Sequence, residues 1–204
     1  VSNYECTPER FAKDVSKHVM TVELDQGCHR SLLFKEPGCI TQYFRLNTWP
    51  GHLAISGDMG SFVFSRTHDM FSFFRNDSGG INVGYWVEKL MATDAQDGHR
   101  EFDGQVFKSR IVEEFRSYWE GTSNYEDRRE CWQAVREDLL DIDFQHELEA
   151  RNAVNEFSHG DLFVDFWETR LTKPTYRLIW AMRAIVWGIQ QYDEATKATS
   201  EAAA

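Results

Sequence analysis

The stretch Tyr43-Phe44-Arg45-Leu46-Asn47-Thr48-Trp49-Pro50-Gly51-His52-Leu53-Ala54-Ile55-Ser56-Gly57-Asp58-Met59-Gly60-Ser61-Phe62-Val63-Phe64-Ser65 decides the fold class. From Tyr43 to Trp49, aromatic or aliphatic residues alternate with polar ones, the period of a strand with one buried face. Pro50-Gly51 marks a turn, and His52 to Ser56 reads as the return strand. Gly57-Asp58-Met59-Gly60 is a second turn, followed by a third strand from Ser61 to Ser65. Upstream, Met20 to Asp25 also alternates, Gln26-Gly27 turns, and Ser31 to Phe34 resumes as a strand until Pro37-Gly38 breaks it. These segments predict an antiparallel meander of about five strands, with one face that helices must cover.

Helical spacing flanks the meander. Thr7-Pro8 supplies a cap and a first helical residue, and Phe11, Val15 and Val19 follow at i, i+4 and i+8. Beyond the strands, Thr67 is the expected cap of a helix holding Met70, Phe71, Phe73 and Phe74. Val83 to Met91 reads as a further short helix. Phe102, Val106, Ile111, Phe115 and Trp119 predict a longer amphipathic one. Asn124 is the expected cap of a helix carrying Cys131, Trp132, Val135 and Leu139. Phe144 to Phe157 predicts another, and Lys173-Pro174 opens a last one with Leu178, Ile179, Met182, Ile185, Val186 and Ile189. Strands followed by helices indicate an α+β fold: an N-terminal antiparallel sheet of about five strands covered by helices, then a mainly helical C-terminal half. The expected organisation is one compact domain. It has a sheet-bearing half (1–112), an acidic helical half (113–193) and a flexible tail (194–204).

Charge is unevenly placed along the 204 residues. The formal net charge is −11, yet residues 113–170 alone hold 16 Asp and Glu against 6 Lys and Arg. The flanks are close to neutral, with 14 acids against 12 bases before this segment and 3 against 4 after it. A field concentrated this way attracts basic surfaces and repels phosphates, so direct nucleic-acid binding is not expected. Within the segment, Glu126, Asp127, Glu130, Glu137, Asp138, Asp141 and Asp143 are the candidate partner-binding residues. Several are like-charge pairs three or four apart, which share a helical face at a small cost in helix stability. Two readings of that face stand side by side. One is a solvated surface that keeps the protein soluble; the other imitates nucleic-acid phosphates and occupies a basic groove. Duplex DNA carries about one charge per 1.7 Å. Carboxylates on successive helical turns lie roughly 5–6 Å apart, so one row cannot match that density and two adjacent helices would be needed. Arg128, Arg129 and Arg136 can form local pairs with these acids.

No motif specifies a reaction. Cys6, Cys28, Cys39 and Cys131 include no C-x-x-C pair, so no zinc site is expected, and they read as reduced thiols of a cytoplasmic protein. The pair Asp141 and Asp143 lacks the third ligand and the glycine of a calcium loop. The seven histidines form neither H-x-x-x-H nor H-E-x-x-H. No cofactor and no metal are expected, and no apolar run is long enough for a membrane span. An enzyme acting on a small molecule or nucleotide would have to build its site near the Gly57–Gly60 turn, with Asp58, His52 and His68 as the titratable groups. A virion accessory protein is a third class.

Several runs carry a resemblance. They are Thr48 to Arg66, Asp69-Met70-Phe71 with Phe73-Phe74, Asn82-Val83-Gly84-Tyr85-Trp86 with Glu88-Lys89-Leu90, and Phe166-Trp167-Glu168 with Trp187-Gly188-Ile189-Gln190. Together they resemble a family of small uncharacterised proteins carried by bacteriophages and prophages. The resemblance supplies no catalytic residues. It implies a viral accessory protein acting in the cytoplasm of a bacterial host, a setting in which acidic, non-enzymatic inhibitors of host defence such as anti-CRISPR proteins occur. The expectation is therefore a phage-encoded inhibitor. Its partner would be a host protein or ribonucleoprotein complex with a basic groove.

Overall fold

Period-2 alternation puts every second side chain on one face of a strand, and here that face is the core. The computed structural model describes residues 5–76, 78–96, 98–121, 124–159 and 161–202. Strands β1 (Val19–Gln26), β2 (His29–Lys35), β3 (Phe44–Trp49), β4 (His52–Gly57), β5 (Gly60–Ser65) and β6 (Leu90–Thr93) form one sheet in that order, each antiparallel to its neighbour. The fold is α+β as expected, with six strands in this sheet. Leu32, Phe34, Phe44, Leu46, Leu53, Ile55, Phe62 and Phe64 are buried on its inner face. Register makes cross-strand partners of Phe34 and Phe44, Leu46 and Ile55, and Leu53 and Phe64. The rings of Phe34 and Phe44 stack at 4.7 Å.

The sixth strand falls where helical spacing predicts the end of a helix over Val83 to Met91. Helix α3 (Val83–Val87), capped by Asn82, stops short, and Leu90 then pairs with Phe64 along the open edge of β5. Edge pairing satisfies a row of backbone groups that a further helical turn would have left open to solvent. The cap expected at Thr67 also moves. Asp69 caps the short helix α2 (Met70–Phe74), its carboxylate accepting from the Phe71 amide at 2.9 Å.

The inner face is covered by α1 (Pro8–Val15), α2 and α7 (Tyr176–Ala202). Thr7 caps α1 and Pro8 starts it, as the sequence indicates. Helix α7 is apolar on several sides because it is sunk into the core; Leu178, Met182, Ile185 and Ile189 are all buried. It approaches the sheet closely at Gly188, where an added methyl would sit 2.9 Å from a Leu46 methyl and 3.2 Å from the Phe34 ring. Trp180 donates its indole N–H to Asp14 of α1 at 3.0 Å. Arg177 fixes the far end, bonding to the Met59 carbonyl at 3.1 Å and to the Asp94 carboxylate at 2.5 Å. Asp94 also accepts from the Ser61 amide at 2.8 Å. Burial pushes this carboxyl up, but the amides and the guanidinium outweigh it and hold it below the usual carboxylate range.

The chain divides into two units at positions other than the expected 112/113 boundary, which falls inside a helix. One unit holds the chain up to His99 and again from Pro174; the other is Arg100–Lys173. Helix α7 thus belongs with the sheet rather than with the acidic helices. Residues 194–202, expected as a flexible tail, continue α7 as an exposed helical end, and the last two residues of that tail lie outside the described residues.

The second unit has its own core. Strands β7 (Arg100–Phe102) and β8 (Thr172–Pro174) pair as a short ribbon. Between them run α4 (Gly104–Tyr118), α5 (Tyr125–Val135) with a π-helical turn at Arg136–Leu140, α6 (Glu147–Glu156) and a 3-10 turn at Phe166–Glu168. Asp103 caps α4 and Asn124 caps α5. Phe107, Ile111 and Phe115 of α4 meet Cys131, Val135 and Leu139, with Ala150, Val154 and Phe166 closing the cluster. Arg151 ties α6 to the 3-10 turn through the carbonyls of Phe166, Trp167 and Thr169, at 2.8–3.2 Å.

Candidate partner-binding surface

Helix α5 and its π turn carry most of the candidate acids. Cys131, Val135 and Leu139 recur at i, i+4 and i+8 and are fully buried, which fixes the rotation of the helix. At about 100° per residue, Glu126, Glu130 and Glu137 fall on the opposite, outward stripe. Asp127 and Asp138 lie on one flank of that stripe. Asp141 and Asp143 follow the π turn. All seven side chains belong to exposed residues.

Their local partners are few. Asp127 receives a bond from the side chain of its cap, Asn124. Glu137 accepts from Gln133 at 2.9 Å, and Asp143 accepts from Gln145 at 3.3 Å. Asp141 lies 3.5 Å from Arg136. Among the described residues it is the only one of the seven in an ion pair. Among the described residues, the side chains of Glu126, Glu130 and Asp138 have no hydrogen-bond or ion-pair partner. The carboxylates are therefore gathered on one continuous segment and mostly unneutralised. They form a single row with a flank, however, and not the two adjacent rows that duplex spacing would require. Among the described residues, Arg136 is the one of the three arginines that pairs with them; Arg128 and Arg129 line a groove facing α4, and Arg129 also borders the hollow that holds Glu137 and Asp141.

The residues of the enzyme alternative are not assembled. His52 opens β4 and Asp58 follows its end, six residues on, roughly 20 Å at a strand's rise. The His52 ring stacks on Trp49 at 5.1 Å, and its Nδ1 lies 3.1 Å from the Pro50 carbonyl. Asp58 accepts from the Gln42 amide at 2.7 Å. The His68 carbonyl accepts from the Gly51 amide at the His52 end of the strand, away from Asp58. Among the described residues, no group of three or more His, Cys, Asp and Glu side chains is placed to hold a metal ion. No described helix is long and apolar enough to cross a membrane.

Comparison with protein-family models, curated proteins and solved structures returned no match.

Proposed function

We propose that this protein is a non-enzymatic binding protein that docks the acidic face of α5 and its π turn into a basic groove of a partner. The observation that carries this reading is the state of the seven carboxylates: all exposed, contiguous along one segment, and six of them without a cation among the described residues. Such a surface is costly on an isolated helix, since Glu126 and Glu130 repel at helical spacing. A lysine- or arginine-lined partner relieves that repulsion. Because the row is single, it matches a basic groove by sign and extent rather than by copying duplex geometry.

The resemblance to phage- and prophage-carried proteins suggests the partner class, a host nucleic-acid-handling defence complex of the CRISPR-effector kind. The protein would then compete with nucleic acid for the groove, and its affinity would fall steeply with salt, as for any multi-charge contact. The test is displacement of labelled guide or target nucleic acid from purified effectors of the host, by wild type and by the triple variant Glu126→Lys, Glu130→Lys, Glu137→Lys. Displacement by wild type, weakened at high salt and abolished in the variant, supports the proposal. Displacement by the charge-reversed protein equal to that of wild type removes these carboxylates from the mechanism.

A further inference from the structure

On the flank of α5 opposite Asp127 and Asp138, the most acidic segment of the chain builds a basic site. A groove of about 390 Å³ runs between α4 and α5, lined by Val112, Phe115 and Arg116 of α4 and Tyr125, Arg128, Arg129 and Trp132 of α5. Among the described residues, no carboxylate lines it. Among the described residues, Arg116, Arg128 and Arg129 have no carboxylate partner; Arg128 lies over the Phe115 ring at 6.0 Å. Trp132 is packed on Phe115 at 4.7 Å, which fixes one aromatic wall, while Tyr125 is 74% exposed. The basic stretch is short. The adjoining hollow on one side adds Glu120 to Arg116 and Arg128, and the one on the other side adds Arg136, Glu137 and Asp141 to Arg129.

We propose that this groove binds a small phosphorylated aromatic ligand of the nucleotide class. Guanidinium forks match phosphate oxygens bidentately, and Tyr125 and Trp132 offer ring faces to a base. The volume falls within the range of small-ligand sites. Acidic groups at both ends, in a segment with 16 acids against 6 bases, disfavour a long polyanion and favour a ligand whose charge ends within the groove. The inference does not rest on the partner proposed for the acidic face, none of whose seven carboxylates lines the groove.

Calorimetric titration of the full chain with ADP, AMP, adenosine, inorganic phosphate and a single-stranded 12-mer tests it. ADP is expected to bind at least about tenfold more tightly than adenosine or phosphate alone, because ring and phosphate are held together. Arg129→Gln and Tyr125→Ala change exposed side chains, and their folding is checked by circular dichroism. Each is expected to weaken ADP binding by about tenfold; Glu156→Lys, at the exposed end of α6, is expected not to. Failure of ADP to bind better than its two halves overturns the proposal. Undiminished binding by both groove variants overturns it as well. Tighter binding of the 12-mer than of ADP overturns the nucleotide assignment in favour of a strand.

Discussion

Arg30 grips Asp69 through two parallel bonds, Nη1 to Oδ1 at 2.9 Å and Nη2 to Oδ2 at 3.0 Å. The same carboxylate caps α2 at the Phe71 amide, and the guanidinium lies over the Phe71 ring at 4.6 Å and near that of Tyr192 at 5.6 Å. One pair therefore joins the β2 strand to α2 and to α7. Burial pushes the Asp69 carboxyl up, but Arg30 and the Phe71 amide outweigh it and hold it below its ordinary range. Asp69→Ala is expected to cost about 2–3 kcal/mol, since it removes a helix cap and the bidentate partner of a largely buried arginine, leaving it Asp25 at 3.9 Å. An aspartate titrates at about 3.9 in the unfolded chain, above its value here. Its contribution is thus complete above that pH and disappears as pH falls through the lower, folded-state value. The gap in denaturant midpoint between wild type and Asp69→Ala should be constant near neutrality and shrink below about pH 4. A gap unchanged down to pH 2 would show that the carboxylate charge contributes nothing.

Gly188 inverts the usual helix rule. In an exposed helix interior, glycine to alanine gains about 0.8–1.0 kcal/mol. Here the new methyl meets Leu46 at 2.9 Å and Phe34 at 3.2 Å across the helix–sheet interface. Gly188→Ala is expected to destabilise the protein by roughly 1 kcal/mol, and Gly188→Leu by about 3 kcal/mol. Trimming the opposing side chain with Leu46→Val should recover part of the loss, giving a coupling energy in a double-mutant cycle by urea unfolding. A stabilised Gly188→Ala, or strictly additive effects, would rule out the close approach.

The four thiols divide two and two. Cys28 and Cys39 are half-buried, whereas Cys6 and Cys131 are buried, and burial pushes both of the latter up. Thiolate is the reacting form, so an aromatic disulfide reagent at neutral pH should consume two thiols rapidly and two slowly. Urea should make all four equivalent. A third fast thiol in the native protein would place Cys6 or Cys131 in solvent.

The meander was legible because Tyr43 to Ser65 combines alternation, broken where Thr48 is buried and Trp49 exposed, with two turn signals. Leu90–Thr93 was not. Four residues carry too little periodicity to separate a strand from the end of a helix, and the unpaired edge of β5 decides the matter from a distance. Helix α7 was legible as a helix but not as the lid of the sheet. Its apolar residues state that it is buried and say nothing about against what. The seven acids were expected at the surface on charge alone, and their shared segment follows from helical spacing. The basic groove stayed hidden because Arg128 and Arg129 sit among acids in sequence, and only the rotation of α5 about its buried stripe separates the two signs.

His99 and Thr175 are bonded to each other, amide to carbonyl at 3.1 Å, although the whole of Arg100–Lys173 lies between them. During synthesis the ribosome finishes every strand of the large sheet before the helix that roofs it has been translated. Phe44 and Leu46 must therefore wait without the cover of α7 while the intervening residues are made. Chaperone capture, or sticking to another nascent chain, belongs to that interval.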